Sequence, residues 1–165
     1  MSEIYSNETL QPSLLDRLAD DEPDEKKESR DKRVLSTKQL RMSVIRDLSW
    51  LLNSSNRDVM GDMDIYTYIR ESVLNYGMPD LSGRVAIGMD IAQLEKTLKK
   101  TIAFFEPRII KKTLTVKVVR TEGMDRTAIN FDIEADLWAQ PLPLHLYLKT
   151  ELDLETGEIT LESKG

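Results

Sequence analysis

The chain has 165 residues, 40% hydrophobic and 32% charged, with a net charge of −6. That length suits one domain with a sizeable core and is too short for two ordinary domains, and the composition is that of a globular protein with a heavily solvated surface. Cysteine is absent and histidine occurs once, at His145, so disulfides, thiolate metal sites and cysteine nucleophiles are excluded, and a Ser-His pair or a transition-metal site has little to draw on.

The charge is unevenly spread. Residues 1–35 carry 6 basic and 10 acidic groups, residues 36–112 carry 12 and 9, and residues 113–165 carry 5 and 10. A mildly basic middle lies between two acidic ends, and the acidic total disfavours nucleic acid as a partner, because phosphate neutralisation needs a basic surface. No apolar run approaches the roughly 20 residues that span a bilayer, and MSEIYSNETL has no basic region followed by an apolar core. The expectation is a cytoplasmic protein with no direct membrane insertion.

PSLLDRLAD, Pro12 to Asp20, sets Leu14, Leu15 and Leu18 at helical spacing with Ser13 as N-cap. A helix of about two turns is marginal alone in water and needs a surface to lie on. That surface is either its own domain or a partner that receives the leucines in a groove. Asp21 to Arg33 contains no large apolar residue and reads as a solvated tether, so residues 1–35 form a motif plus tether and 36–165 a single domain.

Ser36 and Gln39 form a capping box at the start of a helix ending near Asn53. Its stripe is Leu40, Val44, Ile45, Leu48, Leu51 and Leu52, with Arg41, Arg46 and Asp47 off it. A polar, turn-rich loop follows, then a brief helix around Tyr68 to Leu74 with Gly77 as a C-cap. A second long helix starts at Asp90 and carries Ile91, Leu94, Leu98, Ile102 and Phe105 on one face. Lys96, Lys99 and Lys100 lie on the other face, where complementing the helix dipole accounts for them and weighs against a phosphate site.

After Lys112 the period changes from 3.6 to 2. Leu114, Val116 and Val118 alternate with polar residues, and TEGMDR turns the chain. Ile129, Phe131, Ile133, Ala135 and Leu137 then face inward, opposite an acidic outer face of Asp132, Glu134 and Asp136. After WAQPLP, Leu144, Leu146, Leu148, Leu152 and Leu154 share one parity, and Thr156-Gly157 closes a hairpin with Ile159 and Leu161. The reading is an α+β fold, N-terminal helices packed on one face of an antiparallel sheet of about four strands. His145 is expected on the exposed parity, and Trp50, Tyr76 and Trp138 are expected to be packing residues. No nucleotide fingerprint is present, and no cofactor or metal is expected.

Between the second long helix and the first strand stands FFEPRI, Phe104 to Ile109. Pro107 ends the helix. Glu106 beside two phenylalanines has the makings of a general acid, but a glycosidase also needs a second carboxylate and an aromatic cleft, and aromatics are 6% of the chain. The other readings are that Glu106 and Arg108 tie the helix end internally, or that they face a partner. Residue physics leaves these two open.

Four fragments carry a family resemblance: PSLLDRLAD; SVIRDLSWLLNSSN, Ser43 to Asn56; SVLNYGMPDLSG, Ser72 to Gly83; and FEPRI, Phe105 to Ile109, followed by LPLHLYLKTELDLETGEI. In this order they resemble the TssE family of small baseplate subunits of type VI secretion systems, and more distantly the contractile-phage baseplate wedge proteins once labelled lysozyme-like. The resemblance implies a non-enzymatic structural role, with Glu106, Pro107 and Arg108 contacting a wedge built of TssF and TssG to which TssK is attached. It also implies a part in starting polymerisation of the TssB/TssC sheath, in a baseplate docked at the inner membrane. A second anchor is expected at Leu14, Leu15, Asp16, Arg17 and Leu18. The competing readings are a peptidoglycan hydrolase using Glu106 as acid, and a generic adaptor or regulator with the same fold.

Overall fold

The computed structural model describes residues 13–18, 36–56, 67–70, 72–79, 90–119, 128–139 and 142–163. The tether, most of the loop after Asn56 and the TEGMDR turn lie outside the described residues. The elements in chain order are α1 (Leu14–Leu18), α2 (Thr37–Leu52), α3 (Thr67–Arg70), a 3-10 turn (Val73–Asn75), α4 (Ile91–Phe105), β1 (Thr115–Val119), β2 (Ala128–Leu137), β3 (Leu144–Asp153) and β4 (Ile159–Ser163).

The two long helices begin where their caps require. Ser36 and Gln39 complete the capping box of α2, and the Asp90 carboxylate accepts from the Gln93 amide at the start of α4. The strands form an antiparallel meander in the order β1-β2-β3-β4. Both helices pack into one core with the sheet, α2 beside β4 and α4 beside β1. Val44, Leu48, Leu98, Ile102, Phe131, Ile133, Leu146 and Leu148 lie at its centre, each at most 1% exposed. This is the α+β architecture that the change of period predicts. Thr150 takes the inward parity of β3, and its hydroxyl donates to the Phe131 carbonyl at 2.5 Å, so the buried polar atom is satisfied. Among the described residues no helix is long and apolar enough to cross a membrane.

Two expectations are corrected. The brief helix at 68–74 is split into α3 and the 3-10 turn, with the Ser72 hydroxyl accepting from the Leu74 amide at the second start. Gly77 does not cap a helix. Its φ of +117° lets the chain pass against α2's exit, where Met78 and Ser55 form a parallel bridge, and an added Cβ would lie 2.1 Å from the Ser54 carbonyl oxygen. The outward parity of β2 carries Asp132, Glu134 and Asp136 as expected, while Lys117 and Lys149 of the neighbouring strands stand in register on either side of Asp132, and Glu162 stands opposite Lys149.

The sheet edges are β1 and β4, and each has backbone groups taken by a helix-side residue. Asn53, just beyond α2, donates from Nδ2 to the Ile159 carbonyl and accepts the Ile159 amide on Oδ1, both at 2.8 Å. On the opposite edge the Glu95 carboxylate of α4 accepts the Val118 amide at 2.7 Å.

Candidate functional site

The corner between α4 and β1 is made by Glu106, Pro107 and Arg108. Glu106 caps α4, its amide donating to the Ile102 carbonyl, and is only 3% exposed. Burial of a carboxylate is costly unless it is paired, and Arg108 supplies the pairing. The Arg108 amide and Nε donate to Glu106 Oε1 at 3.1 and 2.7 Å, and Nη2 donates to Oε2 at 2.6 Å. The proline between them fixes the turn that brings carboxylate and fork together.

Arg108 also reaches α2. Its Nη2 donates to Asp47 Oδ2 at 2.5 Å and its Nη1 to the Ser43 hydroxyl at 3.2 Å. The other oxygen of Asp47 accepts from Nε and Nη2 of Arg46 at 2.9 and 2.8 Å. Arg46 Nη1 then donates to Asp16 Oδ1 in α1 at 2.6 Å, and its guanidinium lies 4.8 Å from the Trp50 ring centre. Three carboxylates and two guanidiniums thus alternate from Glu106 to Asp16, joining α4's end, α2 and α1. Burial lowers the pKa of Arg108, but the bonds to Glu106 and Asp47 outweigh it and hold the value above the ordinary one. The bond from Arg46 holds Asp16 below the usual carboxylate value, and the same bond raises Arg46. Burial, then Asp47 and Glu106, raise the Tyr76 phenol.

The structure gives α1 a place on its own domain. Ser13 accepts from the Asp16 amide as N-cap and donates to the Asp16 carboxylate at 2.8 Å. The helix is held through Asp16, while Leu15 is 52% and Leu18 74% exposed. The side chains of Leu14 and Arg17 lie outside the described ones. A groove of about 500 Å³ opens beside the corner, walled by Leu15, Trp50, Tyr76, Pro107, Arg108 and Asp47. Its polar wall is bound inward, and its apolar rim faces solvent.

The sequence placed no site at Asp47, Arg46 or Trp50. Asp47 and Arg108 are 61 positions apart, and Arg46 and Asp16 are 30 apart, so only the fold pairs them. Trp50 is half exposed rather than a packing residue; its spacing of four from Arg46 on one helix was the available signal. His145 is exposed as expected, its Nδ1 3.1 Å from Asp136.

The second carboxylate missing from the sequence reading is Asp47, and it shares Arg108 Nη2 with Glu106. A hydrolytic carboxylate pair needs open space for water or a sugar, whereas a guanidinium fills this one. Among the described residues no three His, Cys, Asp or Glu side chains are placed to share a metal ion.

A family model described as baseplate wedge protein gp25 matches residues 38–142. The chain belongs to the gp25 baseplate wedge family. The matched stretch holds Arg46, Asp47, Glu106 and Arg108, while α1 and the β3–β4 hairpin lie outside it. Comparison with curated proteins and with solved structures gave no match. Wedge proteins of this family are structural parts of a baseplate, which sets the class of role for this gp25-family chain.

Proposed function

We propose that the chain is a TssE-type subunit of a type VI secretion baseplate, without catalytic activity, that binds the wedge proteins TssF and TssG, with TssK attached to the wedge. The family match across α2 and the corner carries this reading. The wedge contact is assigned to Glu106, Pro107 and Arg108 with the groove beside them, and to α1 as second anchor. In this reading the ion pairs fix the corner's shape. Leu15, Leu18, Trp50 and Pro107, all exposed, offer the area that a partner buries. Sheath assembly by TssB/TssC would begin by strand addition at β1 or β4, which requires a partner strand to replace the Asn53 or Glu95 bond at the edge it uses. The working place is the cytoplasm, in a baseplate docked at the inner membrane.

The test is co-purification of TssF and TssG with the wild-type chain, Glu106→Ala and Arg108→Ala, each variant checked for its melting temperature. Wedge binding by wild type and its loss at the corner variants under conditions where they remain folded supports the reading. Corner variants that unfold readily yet bind the wedge normally when folded would make the motif a purely internal brace. Glu106-dependent turnover of purified peptidoglycan would favour the hydrolase instead.

A further inference from the structure

The lysines of α4 lack the local explanation that the sequence offered. The dipole of a helix acts within its last turn, and the last turn of α4 contains no basic residue, since the helix runs on to Phe105. Lys96, Lys99 and Lys100 are all exposed, and Lys96 lies three and four positions before the other two, where like charges repel. Glu95 is the one acidic residue within α4, and its carboxylate is turned to the Val118 amide. The turn that follows adds Lys111 and Lys112, also exposed. Among the described residues none of these five lysines has a hydrogen bond or ion pair, whereas Arg46 and Arg108 are bound to carboxylates.

An acidic chain of net charge −6 thus carries a concentrated, unneutralised cationic stripe along one solvent-facing helix side, ending at Phe104, which is 45% exposed. We infer that this side of α4 is an interaction surface for an acidic polypeptide, whose carboxylates meet Lys96, Lys99 and Lys100 and whose apolar side chain covers Phe104. Charge complementarity selects the occupant. An anionic lipid surface would feel the same charges, but the apolar side of α4 is buried in the core and leaves no apolar helix side to enter a bilayer, which favours the polypeptide. Nucleic acid is disfavoured by the overall charge. The surface is separate from the groove at 106–108 and does not depend on the wedge reading.

The test uses the full chain and a fluorescently labelled glutamate-rich peptide with a central leucine, followed by anisotropy at low and physiological salt. Wild type binds, and Lys96→Gln/Lys99→Gln/Lys100→Gln weakens binding about tenfold, as expected for three exposed pairs lost together. Phe104→Ala weakens it less, and added salt weakens wild type toward the triple variant. A charge-matched control, Lys38→Gln/Lys117→Gln/Lys149→Gln, binds as wild type does. The inference is overturned if wild type does not bind the peptide, if the control loses as much affinity as the stripe variant, or if vesicles containing anionic phospholipid bind more tightly than the peptide.

Discussion

Two regions of this molecule are built from the same charged residue types and differ in what those residues do. At the corner, Glu106, Arg108, Asp47, Arg46 and Asp16 form one bonded sequence across three helices, with Glu106 buried. On the sheet's outer face, Lys117, Asp132, Lys149 and Glu162 stand in one row across four strands, with both lysines and Glu162 exposed. The corner ties together elements far apart in sequence, and its Glu106 carboxylate, 3% exposed, has almost no water to fall back on. The outer row keeps its hydration and serves chiefly to keep the face soluble and in register. Burial, rather than the count of opposite charges, separates the two.

Substitutions can break that contrast. The largest effect is expected from Arg108→Leu, which leaves Glu106 buried without its cation and should cost about 3–5 kcal/mol in urea unfolding. Adding Glu106→Gln should recover part of the loss, and a cost below about 1 kcal/mol would remove the distinction between the regions. Asn53→Ala is intermediate, since it frees the amide and carbonyl of Ile159 at an edge open to water. Roughly 1 kcal/mol should be lost by thermal unfolding, together with a greater tendency to self-associate.

The acid response sharpens the contrast at α1. Because Arg46 lowers the folded-state pKa of Asp16 from the ordinary 3.8, the contribution of this pair is complete above that value and is lost as pH falls through the lower folded value. In a Trp138→Phe background, Trp50 fluorescence should therefore change in acid as α1 leaves, and Asp16→Ala should abolish that transition. The smallest effect belongs to the outer face. Lys117→Gln should shift stability by no more than about 0.5 kcal/mol, and a loss above about 1 kcal/mol would mean that the row helps hold the sheet together.

Much of this fold is written locally. Leu94, Leu98 and Ile102 repeat at helical spacing, Ile129 to Leu137 alternate, and Ser36 with Gln39 names its own helix start, so α2, α4 and the strands are legible before any contact is known. Half of the corner is legible for the same reason, because Glu106 and Arg108 are two residues apart across a proline. The other half is not, because Asp47 meets Arg108 only when α2 lies beside the end of α4. Gly77 misleads on sequence, since a glycine after a short helix resembles a cap and its actual reason is a carbonyl of Ser54 brought in from another element. The lysines of α4 mislead in another way, because the helix ends at Phe105 as its sequence indicates and the dipole's effect is confined to a last turn that begins beyond Lys100.

The central claim is that a rigid, inward-bonded corner presents an apolar rim to the wedge. Its most direct test is calorimetric titration of a TssF–TssG complex with the wild-type chain and with Leu15→Ser/Leu18→Ser, which alters exposed side chains and leaves every ion pair of the corner in place. The account predicts wild-type binding that is at least about tenfold weaker in the variant, with an unchanged melting temperature. Equal affinity for both chains, or no binding by the wild type, would contradict it.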